Sequence, residues 1–130
     1  MGGGSAYNVF LNGSLLQVLE IQGSTTQQLF LSLDPSQQAS VVVSKRTEAL
    51  LARSSEIFQG IQVDEEARLL PVAARFERRL EVIGDSITSG FGVLGRYFND
   101  PTCQGPFSRS EDSWMTYSLL LAHQLQGEPV

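Results

Sequence analysis

The sequence predicts two parts of different fold class, a β-sandwich over residues 7–74 and the opening strand, loop and helix of an α/β domain over residues 78–130. Three observations lead to this division. Short apolar runs alternate with polar turns in the first part, as in an all-β sandwich. A single apolar run at residues 80–83 then stops at Gly84, and a helical pattern follows at residues 113–126. A strand, a long loop and a helix are the way in which an α/β domain begins.

The β-sandwich prediction starts from a hairpin. Residues 8–11 and 15–21 flank Asn12-Gly13, a pair that favours the positive φ angles of a tight hairpin turn. Further strands are predicted where leucines alternate with other residues or where β-branched residues cluster. They cover residues 29–33, 41–43 and 56–63, with turns at Asp34-Pro35 and Asp64-Glu65-Glu66, a possible helical turn at residues 48–53 and a linker at residues 71–75.

The α/β prediction depends on the last quarter of the chain. Ser110 or Asp112 can cap the helix at residues 113–126, and Gly127 with Pro129 ends it. A parallel sheet needs strands beside its first one, and no strand pattern follows the helix. We therefore expect the β-sandwich to be incomplete at its N-terminus and the α/β domain to be truncated at its C-terminus.

Composition and charge exclude several classes of protein. The 130 residues are 42% hydrophobic, which is enough for a packed core and argues against disorder. A net charge of −5 disfavours nucleic acid and anionic membrane surfaces as partners, because both attract clustered lysines and arginines. The sequence contains no apolar run near the roughly 20 residues of a membrane span, and its first residues do not resemble a signal peptide. No His, Cys and Asp residues have metal-ligand spacing, so neither a metal nor a cofactor is predicted.

Two motifs compete to explain the segment after the apolar run at residues 80–83. Residues 90–95 match the dinucleotide pattern G-x-G-x-x-G, but six residues separate the run from Gly90 and no helix pattern follows directly. Gly84-Asp85-Ser86 fits its context better, because Ser86 then lies just beyond the C-terminal end of a strand, where open α/β sheets bind ligands. Its own N–H could stabilise an oxyanion. On the tripeptide alone, an ordinary turn is the more common explanation.

A family resemblance favours a functional serine over an ordinary turn. Residues 80–88, with Gly90-Phe91-Gly92, resemble the first conserved block of the SGNH (GDSL-type) hydrolases. Three further stretches narrow the resemblance to carbohydrate esterase family two, the acetyl esterases that act on xylan and related sugars. These stretches are residues 41–49 with Lys45-Arg46-Thr47-Glu48, residues 58–61, and Glu111-Asp112-Ser113 with Tyr117.

The resemblance implies a fold and a reaction. It implies a jelly-roll β-sandwich ahead of a flavodoxin-like SGNH domain in a secreted enzyme whose substrate is an acetylated carbohydrate. Ser86 would be the nucleophile and would form an acyl-enzyme, while Asp85 would hold the turn by hydrogen bonds. The histidine base and the other oxyanion donors, a glycine and an asparagine, belong to later blocks that these residues do not contain. We therefore expect the 130-residue chain to be inactive by itself.

Other chemically capable residues receive structural interpretations. His123 is the single histidine, and we expect it to be an exposed helical residue because no base motif surrounds it. Cys103 is interpreted as a loop thiol. Glu111 and Asp112 are expected to cap the helix, and Trp114 fits a core position more often than a sugar site.

Two alternatives remain at this level. Asn12-Gly13-Ser14 is both a hairpin turn and an N-glycosylation sequon, and the two can coexist in a secreted protein. The β-sandwich could also be the working part of a non-catalytic carbohydrate-binding or interaction module.

Overall fold

The computed structural model describes residues 5–23, 25–48, 56–72, 78–97, 99–101 and 110–129. Within these ranges the chain forms a three-stranded antiparallel sheet of order β2-β1-β3 and a separate parallel pair, β4 and β5. The strands are β1 Ser5–Leu11, β2 Ser14–Ile21, β3 Val41–Lys45, β4 Arg78–Leu80 and β5 Gly127–Pro129.

The hairpin at the start of the chain is confirmed. β1 and β2 pair from Ser5 with Ile21 to Leu11 with Ser14, and the register shifts once, between Val9 and Phe10. Asn12 and Gly13 join them with φ angles of 51° and 82°. Both angles are positive, as a two-residue type I′ turn requires, and Asn and Gly adopt them at low cost.

β3 confirms the strand predicted at residues 41–43 and extends it to Lys45. The predictions for residues 29–33 and 56–63 are wrong, because neither segment forms a strand. Most of their apolar side chains are exposed, Phe30 by 85% and Phe58 by 75%, while Leu29 and Leu31 are half-buried. An alternating pattern gives a segment one apolar face, but a strand forms only where a neighbour accepts and donates its backbone hydrogen bonds.

The α/β part departs from the prediction in two respects. β4 covers Arg78–Leu80 and not residues 80–83, so the chain leaves the strand earlier. The expectation that no neighbouring strand would follow is also wrong, because β5 pairs with β4 in parallel, with Arg78 opposite Gly127 and Leu80 opposite Pro129. The residues taken as a helix stop therefore also form a strand, which is too short for a hydrophobic pattern to indicate.

The helix predicted at residues 113–126 is divided. A 3₁₀ turn covers Ser113–Met115, Thr116 is extended, and α1 covers Tyr117–Gln124. Thr116 caps α1 by accepting a hydrogen bond from the Leu119 amide. α1 has eight residues, and in the part of the chain that the structure describes no helix is long and apolar enough to cross a membrane.

The buried residues lie where the first sheet meets the C-terminal segment. Ala6, Val9 and Phe10 of β1 are buried, as is Ala122 of α1. Several polar residues are buried with them, namely Ser5, Asn8, Thr47, Asp100, Ser110, Glu111, Asp112 and Thr116. The fold is small and sheet-rich. The jelly-roll topology stays a prediction, and so does the domain division, whose boundary at residues 75–77 lies outside the described residues.

Candidate functional site

A compact turn follows β4 and carries Gly84-Asp85-Ser86. Asp85 Oδ1 accepts a hydrogen bond of 3.0 Å from the Ile87 amide, and the Ser86 carbonyl accepts one of 2.8 Å from Phe91. These bonds fold residues 85–91 back on themselves. The Ser86 side chain is exposed, so it is not part of a buried core.

Gly84 is a glycine for a local steric reason. Its φ angle is not among the positive ones, so a left-handed backbone conformation is not the reason. Instead, a Cβ at Gly84 would lie 2.0 Å from Thr88 Oγ1. The Thr88 hydroxyl is in turn 2.8 Å from the Tyr117 hydroxyl, so the turn is tied to α1. Any larger residue at position 84 would displace Thr88 from this contact.

The pattern G-x-G-x-x-G forms a turn rather than a dinucleotide loop. Gly90 and Gly92 have positive φ angles of 104° and 77°, and hydrogen bonds of the turn type continue to Gly95. Among the described residues no helix begins directly at Gly95; the next helical residue is Pro101, in a 3₁₀ turn, and α1 begins only at Tyr117. The arrangement therefore lacks the helix N-terminus that would bind a pyrophosphate.

The turn packs against the segment before α1. Gly90 accepts a hydrogen bond from the Asp112 amide at 3.3 Å, and a Cβ at Gly90 would lie 2.5 Å from the Asp112 carbonyl oxygen. Ser89 Oγ donates to Glu48 Oε1 at 2.6 Å, which joins the turn to the end of the β3 segment. The turn thus contacts Asp112 in the C-terminal segment and Glu48, which follows the last strand of the three-stranded sheet.

Glu111 is buried and does not cap a helix, so this part of the prediction is wrong. Its Oε1 accepts a hydrogen bond of 2.8 Å from the Glu48 amide, while Oε2 is buried without a partner in the described part of the chain. Burial raises the pKa of Glu111 to about 7, and the hydrogen bond from Glu48 opposes this only in part. Glu111 therefore carries its proton over much of the acidic range.

Asp112 caps the 3₁₀ turn as predicted, and it also connects the two parts of the molecule. Its Oδ1 accepts hydrogen bonds from the Trp114 amide at 3.0 Å and from Asn8 Nδ2 at 2.8 Å. Arg46 Nε lies 3.6 Å from Oδ2 and donates to the Glu111 carbonyl at 2.9 Å. Asn8 and Arg46 come from β1 and the end of β3, so these contacts attach the sheet to α1.

His123 is an exposed residue of α1, as predicted. Its ring makes an edge contact with Trp114, with 5.7 Å between the centroids. Trp114 is partly buried and fits the predicted core position. Among the described residues, none places a hydrogen-bonding group on Ser86 Oγ, so no base for Ser86 is identified. Cys103 lies outside the described residues.

A second polar cluster was missed by sequence analysis. The Glu56 carboxylate accepts hydrogen bonds from Ser5, from Tyr7 and, at 2.6 Å, from Lys45. Burial alone would raise the pKa of Glu56, but these donors outweigh it and lower the pKa. Burial, followed by the bond to Glu56, raises the pKa of Tyr7 to about 12. The cluster is not signalled by any motif, because it joins strands to a segment without regular structure.

Over the ranges that the structure describes, His, Cys, Asp and Glu side chains do not gather in groups of three that could hold a metal ion. The candidate site therefore consists of the exposed Ser86 in its hydrogen-bonded turn, together with the contacts that hold the turn.

Comparisons with known proteins agree with the resemblance seen in the sequence. No protein-family model matches the chain. The cellulase/esterase CelE of Acetivibrio thermocellus is 29% identical over 126 residues, which is 97% of this chain and 15% of CelE. The structure of a family two carbohydrate esterase from Clostridium thermocellum, in complex with cellohexaose, superposes with a TM-score of 0.68 and 26% identity. That match covers 98% of this chain and 37% of the solved one.

A second solved structure supports the fold. A carbohydrate esterase family 2 enzyme with a carbohydrate binding domain, from Corynascus thermopiles (Myceliophthora fergusii), gives a TM-score of 0.65 at 24% identity. It covers 98% of this chain and 36% of that one. The resemblance to family two carbohydrate esterases is thus confirmed, and the chain spans well under half the length of each protein that it matches.

Proposed function

We propose that this chain carries the serine nucleophile of a carbohydrate esterase resembling those of family two, and that Ser86 is this nucleophile. The observation that supports it most is the position of Ser86, exposed in a hydrogen-bonded turn six residues beyond the last residue of β4. The carboxyl ends of strands are where α/β sheets place their ligands. The similarity to esterases runs through 97% of the chain and so includes this turn.

The proposed reaction is acyl transfer through a covalent intermediate. Ser86 Oγ attacks the carbonyl carbon of an O-acetyl group, the sugar hydroxyl leaves, and water then hydrolyses the acetyl-enzyme. The Ser86 N–H is one donor to the oxyanion. Asp85 holds the turn through its hydrogen bond from Ile87 and is not the acid of a triad. The reaction requires no metal or cofactor.

The substrate is proposed to be an acetylated carbohydrate. The relatives support a carbohydrate, since one of them was solved with cellohexaose. The acetyl group comes from the family resemblance alone. The same resemblance supports secretion, and it supports a jelly-roll arrangement for the sheet formed by β1, β2 and β3.

The decisive experiment measures hydrolysis of 4-nitrophenyl acetate. The 130-residue chain should be no faster than its Ser86→Ala variant, because a serine hydroxyl needs a base and no described residue hydrogen-bonds to Ser86 Oγ. A longer gene product that supplies a histidine base should lose on the order of 10⁶ in kcat on the same substitution. Ser36→Ala, in an exposed loop, serves as the control and should change neither rate.

The outcomes separate the possibilities. Activity of the long product that survives Ser86→Ala would exclude Ser86 as the nucleophile. Activity of the 130-residue chain that disappears with Ser86→Ala would show that these residues contain a base, and His123→Ala would then be tested.

A second candidate function is a carbohydrate-binding module without catalysis. It is favoured by the cellohexaose complex of the structural neighbour. It predicts that the 130-residue chain binds cello-oligosaccharides with the same Kd before and after Ser86→Ala. Calorimetric titration with cellohexaose tests it, and an absence of binding heat would exclude it.

A further inference from the structure

The turn that carries Ser86 is joined to the N-terminal half by one pair of side chains. Ser89 Oγ donates to Glu48 Oε1 at 2.6 Å, and the same oxygen lies 3.2 Å from the Ser86 carbonyl and 3.3 Å from that of Asp85. Ser89 therefore lies inside the turn. Its side chain is held between the backbone around Ser86 and a carboxylate that is 41 residues away in the sequence.

Glu48 is itself held from two sides. Its amide donates to the buried Glu111 carboxylate at 2.8 Å. The preceding residue, Thr47, is 5% exposed, and its hydroxyl accepts a hydrogen bond of 3.2 Å from the amide of Ala6 in β1. A continuous set of contacts thus runs from the central strand of the sheet through Glu48 to the turn.

We propose that Glu48 is a positioning residue for Ser86, acting through Ser89, so that the N-terminal sheet sets the conformation of the nucleophile's turn. This inference rests on the proposed function of Ser86. Ser86 is exposed, so the geometry of its backbone decides where Oγ lies. A displacement of about 1 Å in such a group costs roughly 10²-fold in rate.

A charged acceptor is useful here because it can hold the nucleophile's turn in one conformation before the substrate binds. A hydroxyl that donates to a carboxylate makes a shorter and stronger bond than one that donates to a neutral group. The Ser89–Glu48 distance of 2.6 Å has this length. The bond keeps the Ser89 side chain from turning toward solvent. It thereby also holds in place the carbonyls of Asp85 and Ser86, which lie beside the Ser89 hydroxyl.

The first test measures amide hydrogen exchange in the 130-residue chain. The Phe91 amide donates to the Ser86 carbonyl and therefore reports on the turn. Glu48→Ala and Ser89→Ala should each accelerate its exchange about tenfold, and the double variant should not exceed the larger of the two. Glu48→Gln retains an acceptor oxygen but not the charge and should restore slow exchange only in part. Ser36→Ala removes a comparable serine–carboxylate bond, to Asp34, in a distant loop and should leave Phe91 unchanged.

The second test measures kinetics in an active longer gene product. Glu48→Ala should lower kcat about tenfold to a hundredfold with KM unchanged, and Glu48→Gln, which keeps the acceptor but not the charge, should recover part of the rate. If Ser86→Ala leaves activity intact, the proposed function fails, and Glu48 then positions no nucleophile. If Ser86→Ala abolishes activity while Glu48→Ala and Ser89→Ala leave both kcat and the Phe91 exchange rate unchanged, the positioning role is excluded and the proposed function survives.

Discussion

The ring of Phe10 packs on the indole of Trp114, with 4.5 Å between their centroids and 35° between their planes. Phe10 belongs to β1, and Trp114 lies in the 3₁₀ turn that precedes α1. This aromatic contact joins the same two segments as the hydrogen bonds that the Asp112 carboxylate accepts from Asn8 and from the Trp114 amide. Together they attach the antiparallel sheet to the C-terminal segment.

Removing the Phe10 ring should loosen this attachment. Phe10 is only 8% exposed, so Phe10→Ala should lower the free energy of unfolding by about 3 to 5 kcal/mol. Trp114 is the single tryptophan, and its fluorescence should shift to longer wavelength as water reaches the indole. Phe30→Ala is the matched control, because Phe30 is 85% exposed and should affect neither quantity. An unchanged emission spectrum in Phe10→Ala would contradict the packing described.

Two glycines in the turn after Ser86 allow a comparison of strain with steric clash. Gly90 and Gly92 both have positive φ angles, so alanine at either position should cost about 1 to 2 kcal/mol of backbone strain. Only at Gly90 would the new Cβ meet other atoms, with the Asp112 carbonyl at 2.5 Å, whereas nothing lies within 4 Å of it at Gly92. Urea denaturation should show Gly90→Ala to be the less stable variant. Equal losses would mean that the turn does not contact Asp112.

The stability of the chain should depend on pH through Glu111. Its pKa is about 7 in the folded protein against an ordinary value of 4.5, so the folded state binds more protons than the unfolded state between these values. Stability from this group is therefore fully present below pH 4.5 and is lost as the pH rises toward 7. Glu56 acts in the opposite direction, because its lowered pKa removes stability as the pH falls below its ordinary value. A maximum near pH 5 is expected.

Glu111→Gln should remove the decline between pH 4.5 and 7, because glutamine keeps an acceptor for the Glu48 amide but does not titrate. Chemical denaturation at several pH values measures this slope. Glu65→Gln changes an exposed turn residue and should leave the decline in place. If Glu111→Gln shows the same slope as the parent chain, another group is responsible.

The parts of the fold that could be predicted from the sequence are those with local causes. The β1–β2 hairpin follows from Asn12-Gly13, because few other residues adopt two successive positive φ angles. Asp34-Pro35 gives the turn in which the Gln37 amide bonds to the Asp34 carbonyl. The cap at Asp112 is local for the same reason, since a carboxylate satisfies an amide two residues later.

The predictions that failed concern pairings between residues that are far apart in the sequence. Residues 29–33 and 56–63 have the composition of strands, but whether they pair depends on neighbours that a local pattern does not specify. β5 was missed because Gly127 and Pro129 carry helix-stop chemistry, and its pairing with β4 is long-range. At the candidate site, Ser86 could be singled out from its motif. Glu48 and Ser89 could not be, since nothing in the sequence brings residues 41 positions apart together.

The bond between Asn8 and Asp112 sets an order of events during synthesis, because 104 residues separate its partners. At roughly 5 to 20 residues per second, the ribosome delivers Asp112 about 5 to 20 s after Asn8. Hairpins form within about 1 to 10 μs but are marginal alone, so the β1–β2 pair forms and dissolves many times in this interval. Throughout it, the face of β1 that later meets Trp114 is open to water and to other nascent chains. The sheet is therefore exposed to aggregation until residues 110–129 emerge, and a ribosome that stalls near Ser110 would leave this face of β1 uncovered.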